Sequence, residues 1–246
     1  IELLESHAKE NKPFYLAVGF FRPHTPYIAP KKYYDMYPRE AIKVPEVAPN
    51  NKDLFPAAAL ALQKPMQLAM SDDLKRAAIQ AYSAATTFMD AQVGQLLDAL
   101  DRLNLANNTI IVFHGDHGYH LGEKNMWQKM SIFEESARVP LIISVPNNNA
   151  NGKACTRPVE LVSLHKTLTA LCRIDADSRT EGHSMKPLVR KPDARWNHAA
   201  YSQVTRKIDE KEFMGRSVRT ERYRYTEWDG GRAGVELYDH ENDPGE

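Results

Sequence analysis

Three histidines fall between positions 114 and 120, at His114, His117 and His120, interleaved with Asp116 and followed by Glu123. Imidazole nitrogens and carboxylate oxygens build metal centres and proton-transfer sites. Gly115, Gly118 and Gly122 keep this stretch from being a regular helix. That removes the i, i+3 geometry by which one ion is shared along a helix face, so zinc held by all three histidines is disfavoured. The remaining chemistry is a hard oxygen ligand from Asp116 and a nitrogen ligand or proton carrier at His117. Lys129, in Trp127-Gln128-Lys129, can hold an anionic oxygen as a point charge. Each has a plainer alternative: Asp-His-Gly as turn chemistry, Lys129 as a solvated surface lysine. Trp127 and Phe133 read as packing residues, and His114, His165, His183, His198 and His240 as structural or surface groups.

These residues need a scaffold. The apolar run 110–113 precedes the histidines and another, 139–145, follows them, both reading as strands. Upstream, residues 14–19 (FYLAVG) form a near-continuous apolar run, as expected of a strand buried on both faces. Ser71-Asp72-Asp73 opens the clearest helix, with a capping hydroxyl and two carboxylates at the positive end of the helix dipole. Its apolar positions keep helical period until Asn107-Asn108 breaks it. Strand, crossover helix, strand implies two parallel neighbours in one sheet. Ligands of such sheets bind beyond the carboxyl ends of the strands, which would bring His24 to the same edge as Asp116 and His117. Eight of the fifteen prolines lie between residues 22 and 66, which predicts an extended surface excursion there. A second amphipathic helix is expected over 162–171. After Pro192, residues 199–203, 215–220, 222–228 and 235–238 read as short strands of a small antiparallel sheet. This divides the chain into 1–192 and 193–246.

Composition narrows the class. With 32 acidic and 32 basic residues among 246, the net charge is zero, which gives no support to a nucleic-acid or membrane-surface role. A hydrophobic fraction of 42% with 26% charged residues is globular composition. No apolar run approaches the roughly 20 residues that span a bilayer. Cys155 and Cys172 are the only cysteines, and their pairing is left open. The chain starts at Ile1 inside a helix-like pattern and stops just after a strand-like one, so it is expected to be an internal piece of a longer protein. The missing targeting signal then says nothing about export.

Asp116-His117-Gly118 behind a strand, Leu121-Gly122-Glu123, Trp127-x-Lys129, Phe133-Glu134 and Arg138-Val139-Pro140-Leu141-Ile142 together resemble the type I sulfatases, closest to the iduronate-2-sulfatase branch and its bacterial relatives. Arg22-Pro23-His24-x-Pro26-Tyr27, Asp90-x-Gln92-Val93-Gly94, Val159-Glu160-Leu161-Val162-Ser163-Leu164 and Glu236-Leu237-Tyr238-Asp239 extend the resemblance in collinear order over the whole chain.

The resemblance implies an α/β, alkaline-phosphatase-like sandwich with a mostly parallel central sheet, plus part of a small antiparallel C-terminal subdomain. It implies hydrolysis of sulfate esters on sulfated saccharides by a formylglycine nucleophile, with a divalent cation, Ca2+ in most members. By the same resemblance Asp116 and His117 are metal ligands, Lys129 contacts the sulfate and His24 lies near the leaving oxygen. Tyr119 and His120, next in the loop, are expected to face the sugar. Location would be periplasmic, extracellular or lysosomal. A phosphodiesterase or phosphonate hydrolase of the same superfamily and a noncatalytic carbohydrate-binding relative are the alternatives. One departure is large: neither cysteine has the Cys/Ser-x-Pro-x-Arg context, and the family's early aspartate pair has no counterpart. The nucleophile is expected upstream, and this polypeptide alone is expected to be inactive.

Overall fold

The computed structural model describes residues 1–10 and 12–246. Its longest element is the helix Asp72–Arg102. Ser71 caps it, its hydroxyl accepting from the Leu74 amide at 3.3 Å, with Asp72 and Asp73 in the first turn. The helix ends earlier than the Asn107-Asn108 break expected from sequence. Asn104 adopts a left-handed backbone (φ 56°), and the amides of Asn104 and Leu105 turn back to the carbonyls of Asp101 and Leu100. That pair of bonds closes a helix sharply, and asparagine tolerates the required conformation better than most side chains.

Strand β1 (Ile111–His114) pairs with β2 (Leu141–Ser144) antiparallel, His114 opposite Leu141 and Ile111 opposite Ser144. This corrects the expected strand–helix–strand unit. Residues 14–19 form no ladder among the described residues. Phe14 and Leu16 instead pack with Ile111 against the cluster of Leu4, Ala99 and Leu100, while Tyr15 is 84% exposed. An apolar run encodes a tendency to be buried but does not name the partner strand. The chain reverses direction over residues 115–140, so the two strands run antiparallel in register.

The proline-rich excursion also differs from expectation. It condenses into single helical turns, Lys31–Tyr34, Arg39–Ala41, Asn51–Leu54, Ala57–Leu60 and Pro65–Leu68. Proline immediately precedes or opens most of them, where its missing N–H costs nothing. One turn is not on the surface: Ala58, Ala59 and Leu60 are buried in a core with Met126, Ile132, Phe133 and Trp228.

The helix expected over 162–171 is present as Leu164–Cys172 behind a short 3-10 turn. The C-terminal strands form a meander, β3 (Ala200–Ile208), β4 (Lys211–Arg219), β5 (Tyr223–Trp228) and β6 (Val235–Asp239), all antiparallel. The β3–β4 hairpin is longer than the sequence suggests. Its tip is Asp209-Glu210, both with positive φ, a two-residue turn without the glycine that normally signals one. Trp228, 1% exposed, lies opposite Gly215 and donates from its indole to Glu236 at 2.8 Å. Through Trp228 this sheet shares a core with the loop that carries Met126 and Phe133.

Two glycines give opposite expectations. A Cβ at Gly215 would sit 2.5 Å from the Trp228 ring, whereas one at Gly94, inside the long helix, meets nothing within 4 Å. Chemical denaturation should show Gly215→Ala destabilised by about 1–3 kcal/mol from overpacking, and Gly94→Ala stabilised by roughly 0.5–1 kcal/mol from helix propensity.

Candidate functional site

The loop after β1 is held by its backbone. Gly115 donates to the Pro140 carbonyl at 3.1 Å, and Gly118 to Ser136 at 2.8 Å. At Gly118 a Cβ would lie 2.1 Å from the Glu135 carbonyl oxygen and 2.8 Å from that of Arg138, so only glycine fits against the helical turn Glu134–Ala137. Asp116 and His117 are thereby held at the outer end of the strand pair. Beyond them the chain doubles back, with His120 N–H to Gln128 O at 3.1 Å and Gly122 N–H to Met126 O at 2.9 Å.

Asp116 is open to solvent, its side chain 86% exposed. One carboxylate oxygen accepts from the His117 amide at 3.1 Å, and the other lies 3.6 Å from His117 Nε2. His117 Nδ1 is 2.8 Å from the Gly118 carbonyl. A carbonyl only accepts, so Nδ1 carries the hydrogen and Nε2 presents either a lone pair or a second proton. With the ring neutral, a lone pair and a carboxylate oxygen face each other, an arrangement that favours a cation between them. This is how metal-binding histidines are oriented, with the distal ring nitrogen fixed by a backbone carbonyl. The pair therefore fits two ligands of a divalent cation.

His24 is exposed and packs at a tilt against Phe21, ring centroids 4.8 Å apart, with Nδ1 fixed on the Thr25 carbonyl at 2.8 Å. By the same reasoning Nε2 is the atom at which its proton would be exchanged. Arg22 braces the turn by donating to Ile28 O and His24 O. Lys129 is partly exposed, and no described carboxylate lies within ion-pair distance of it. Its ammonium is free to meet an anion.

The segments carrying these groups are tied together by aromatic residues. Tyr27 donates to the Tyr119 hydroxyl at 2.6 Å, which donates to the Trp127 carbonyl at 3.2 Å, and the Tyr119 ring stacks on Tyr82 at 5.2 Å. One chain of hydrogen bonds thus links residues near His24, next to His117 and near Lys129. Burial first, then contact with Tyr119, pushes the Tyr27 phenol well above its ordinary range, and burial does the same for Tyr82. Tyr27 lies within a motif quoted above; Tyr82 had no signal beyond the helix that carries it.

The two residues expected to face a sugar separate. Tyr119 is half-buried with its hydroxyl committed to protein, which leaves its ring for any outside contact. His120 has no exposed surface, and the expectation that it touches a saccharide is corrected. Its Nε2 bonds the Ser131 hydroxyl at 2.7 Å, and its ring abuts Phe133. Its Nδ1 and the Glu135 carboxylate oxygen 4.0 Å away are both buried without a hydrogen-bond partner. Glu135 is bound instead by the buried Lys124 ammonium at 2.9 Å.

Another set of donors lies apart from this loop's outer face: Glu134, His240 and Glu246 hold ligand atoms within 4.8 Å of one another. The Arg224 guanidinium bonds both carboxylates, Arg219 approaches Glu134 at 3.5 Å, and His240 bonds Glu246 at 2.8 Å. Burial pushes the Glu134 carboxyl up, but Arg224 and Arg219 outweigh it and hold it below its usual range. The charge a metal would neutralise is already neutralised by arginine.

Burial lowers the His120 pKa to about 4, against 6.5 for the free side chain. Its contribution to stability is therefore intact above pH 6.5 and declines as pH falls toward 4, because only the unfolded state binds the proton. Urea melts at pH 8 and pH 5 should show a loss on the order of 2 kcal/mol in the native chain that His120→Gln does not show. Equal pH dependence in both proteins would mean that the ring is not buried and neutral.

Residues 1–173 match the family described as Sulfatase, and residues 122–246 that of N-sulphoglucosamine sulphohydrolase, C-terminal. A sulfatase of Formosa agariphila is 34% identical over 99% of this chain and 47% of its own length. Iduronate 2-sulfatase of Mus musculus is 33% identical over 94% of this chain and 54% of its own. The chain thus spans about half the length of these curated relatives. The solved phosphonate monoester hydrolase of Silicibacter pomeroyi superposes with a TM-score of 0.82 over 98% of this chain and 52% of its own, at 20% identity. That likeness shows the α/β, alkaline-phosphatase-like fold. The family match over most of the chain, together with the two relatives, shows that this chain belongs to the sulfatase family.

Proposed function

We propose that this chain supplies the cation-binding and sulfate-holding part of a sulfate ester hydrolase that acts on sulfated saccharides. The facing pair of Asp116 Oδ2 and His117 Nε2 at 3.6 Å carries the reading. A divalent cation, Ca2+ by family type, would be held there and would supply Lewis-acid stabilisation of the sulfate oxygens. Lys129, without a carboxylate partner, is the group to neutralise a remaining sulfuryl oxygen. His24, with Nδ1 fixed on the Thr25 carbonyl, offers Nε2 to protonate a leaving alkoxide. Support for a saccharide substrate comes from the iduronate 2-sulfatase relative, and a uronate 2-O-sulfate is the finer assignment it suggests.

Residues 1–246 contain no Cys/Ser-x-Pro-x-Arg sequence. The proposal therefore assigns the formylglycine nucleophile to sequence outside them, and this chain by itself should not turn over a sulfate ester. A phosphonate substrate is the competing reading, because the Silicibacter pomeroyi hydrolase shares the fold.

Calorimetric titration of Ca2+ into the chain joined to a sequence that carries the nucleophile and the early aspartate pair should give a one-site isotherm that Asp116→Ala abolishes and that Lys129→Gln leaves unchanged; an unaltered isotherm in Asp116→Ala would remove the metal assignment. When the chain is joined to a sequence bearing the nucleophile, Lys129→Ala should lower kcat/KM for a sulfated disaccharide at least roughly 100-fold, as for loss of one charge-stabilising donor. Hydrolysis of a phosphonate monoester faster than the sulfate would favour the competing reading.

A further inference from the structure

The antiparallel register of β1 and β2 separates two ends of the molecule. His114, which leads into Asp116, lies opposite Leu141, so the chain leaving β2 at Ser144 emerges at the other end of the pair. There the loop 145–157 and the segment 189–193 enclose an open cleft of about 540 Å³, within the range of about 300–1,000 Å³ common for ligand sites. Lys153, Arg157, Arg190 and Lys191 line it, with Asp193 the one acidic group among the lining residues.

Much of this charge is uncommitted. Arg157 pairs with Glu221, and Lys191 lies 3.9 Å from Asp193. Neither Lys153 nor Arg190 has a described carboxylate within ion-pair distance, and both are exposed. In a chain of zero net charge this concentration of cations stands out. The walls are fixed as well. Asn148 donates to the Val189 carbonyl at 2.8 Å, Asn151 bonds both the amide and the carbonyl of Val145, and Cys155 Sγ donates to the Pro192 carbonyl at 3.2 Å. The two sides of the cleft are thus stapled together before any ligand arrives, which reduces the ordering cost of binding.

We propose that this cleft is a second, noncatalytic binding site for a sulfated polysaccharide, held by Lys153 and Arg190 at the end of the strand pair away from Asp116. Lysine and arginine suit sulfate monoesters, which stay ionised throughout the working pH range, and the guanidinium fork can bond two of their oxygens. A polymer held here would remain near the protein between encounters with the loop at the other end, an effective-concentration gain without new chemistry. The choice of saccharide rests on the proposed function; the cationic cleft does not.

Affinity electrophoresis in gels containing dextran sulfate, with plain dextran as reference, tests this on the 246-residue chain. The native chain should be retarded by dextran sulfate only, and Lys153→Glu/Arg190→Glu should bind roughly tenfold more weakly. The milder Lys153→Gln/Arg190→Gln should fall between them, with near-UV circular dichroism confirming an intact fold in both. Retardation is measured in EDTA, so that the cation site does not contribute, and failure of the cation site and failure of the cleft are separate results. Native-like retardation of the double variants, or no retardation of the native chain, overturns the proposal. Equal affinity for a single-stranded oligonucleotide of matched charge also overturns it, by making the cleft a general polyanion surface.

Discussion

The closest constraint in the molecule is the passage of the backbone at Gly118 over the turn Glu134–Ala137. The 2.8 Å bond from Gly118 to Ser136, and the 2.1 Å that would separate a Cβ from the Glu135 carbonyl, leave no room for a side chain. Everything around the site follows from that approach. Asp116 and His117 precede it and stay at the solvent edge, whereas His120 follows it and is drawn beneath the loop. A displacement there would move Asp116, His117 and the buried His120 together, because the same short turn supports them.

The helical turn that receives Gly118 is itself anchored electrostatically. Glu135 is bound by Lys124, and Glu134 by Arg224, which also reaches Glu246. Arg224 is 3% exposed, so these charges are largely desolvated. Buried networks of this kind add little net stability when complete, yet losing one partner strands a charge at a cost of about 3–5 kcal/mol. Their effect here is to specify position: Arg224 belongs to β5, so the C-terminal sheet and the turn under the loop cannot shift independently. Trp228, from the same strand, reinforces this by packing with Phe133.

Much of this was legible in the sequence, but unevenly. The long helix announced itself through Ser71, Asp72 and its apolar period, because capping and amphipathicity are local properties. Asp116-His117-Gly118 was legible because strand, carboxylate and glycine fall within a few residues. Partner identity was not. Residues 14–19 have a strand's composition, but whether any chain segment pairs with them is a nonlocal fact. The Asp209-Glu210 turn was missed because neither residue is a glycine, although both take positive φ. His120 was misread because its place in the loop just after Asp-His-Gly suggests an outward-facing position. Its burial depends on Ser131, Phe133 and Glu135, more than ten residues away. The core role of Ala58 and Ala59 was hidden among prolines that signal surface.

The contrast between the two donor clusters shows why proximity alone does not make a metal site. Glu134, His240 and Glu246 bring three ligand atoms within 4.8 Å of one another, a trio among the described residues. Arg224 and Arg219 already satisfy those carboxylates, so a cation would have to displace buried guanidinium groups and leave them unpaired. Asp116 and His117 have fewer donors but no such competitor: the carboxylate takes only a neighbouring amide, and the imidazole is oriented by a carbonyl on its far side. Their residual charge is exposed to water, which an incoming ion can replace at small cost. Affinity for a cation follows from charge left unsatisfied and held in place, a criterion that the open pair near Gly118 meets and the arginine-bound cluster does not.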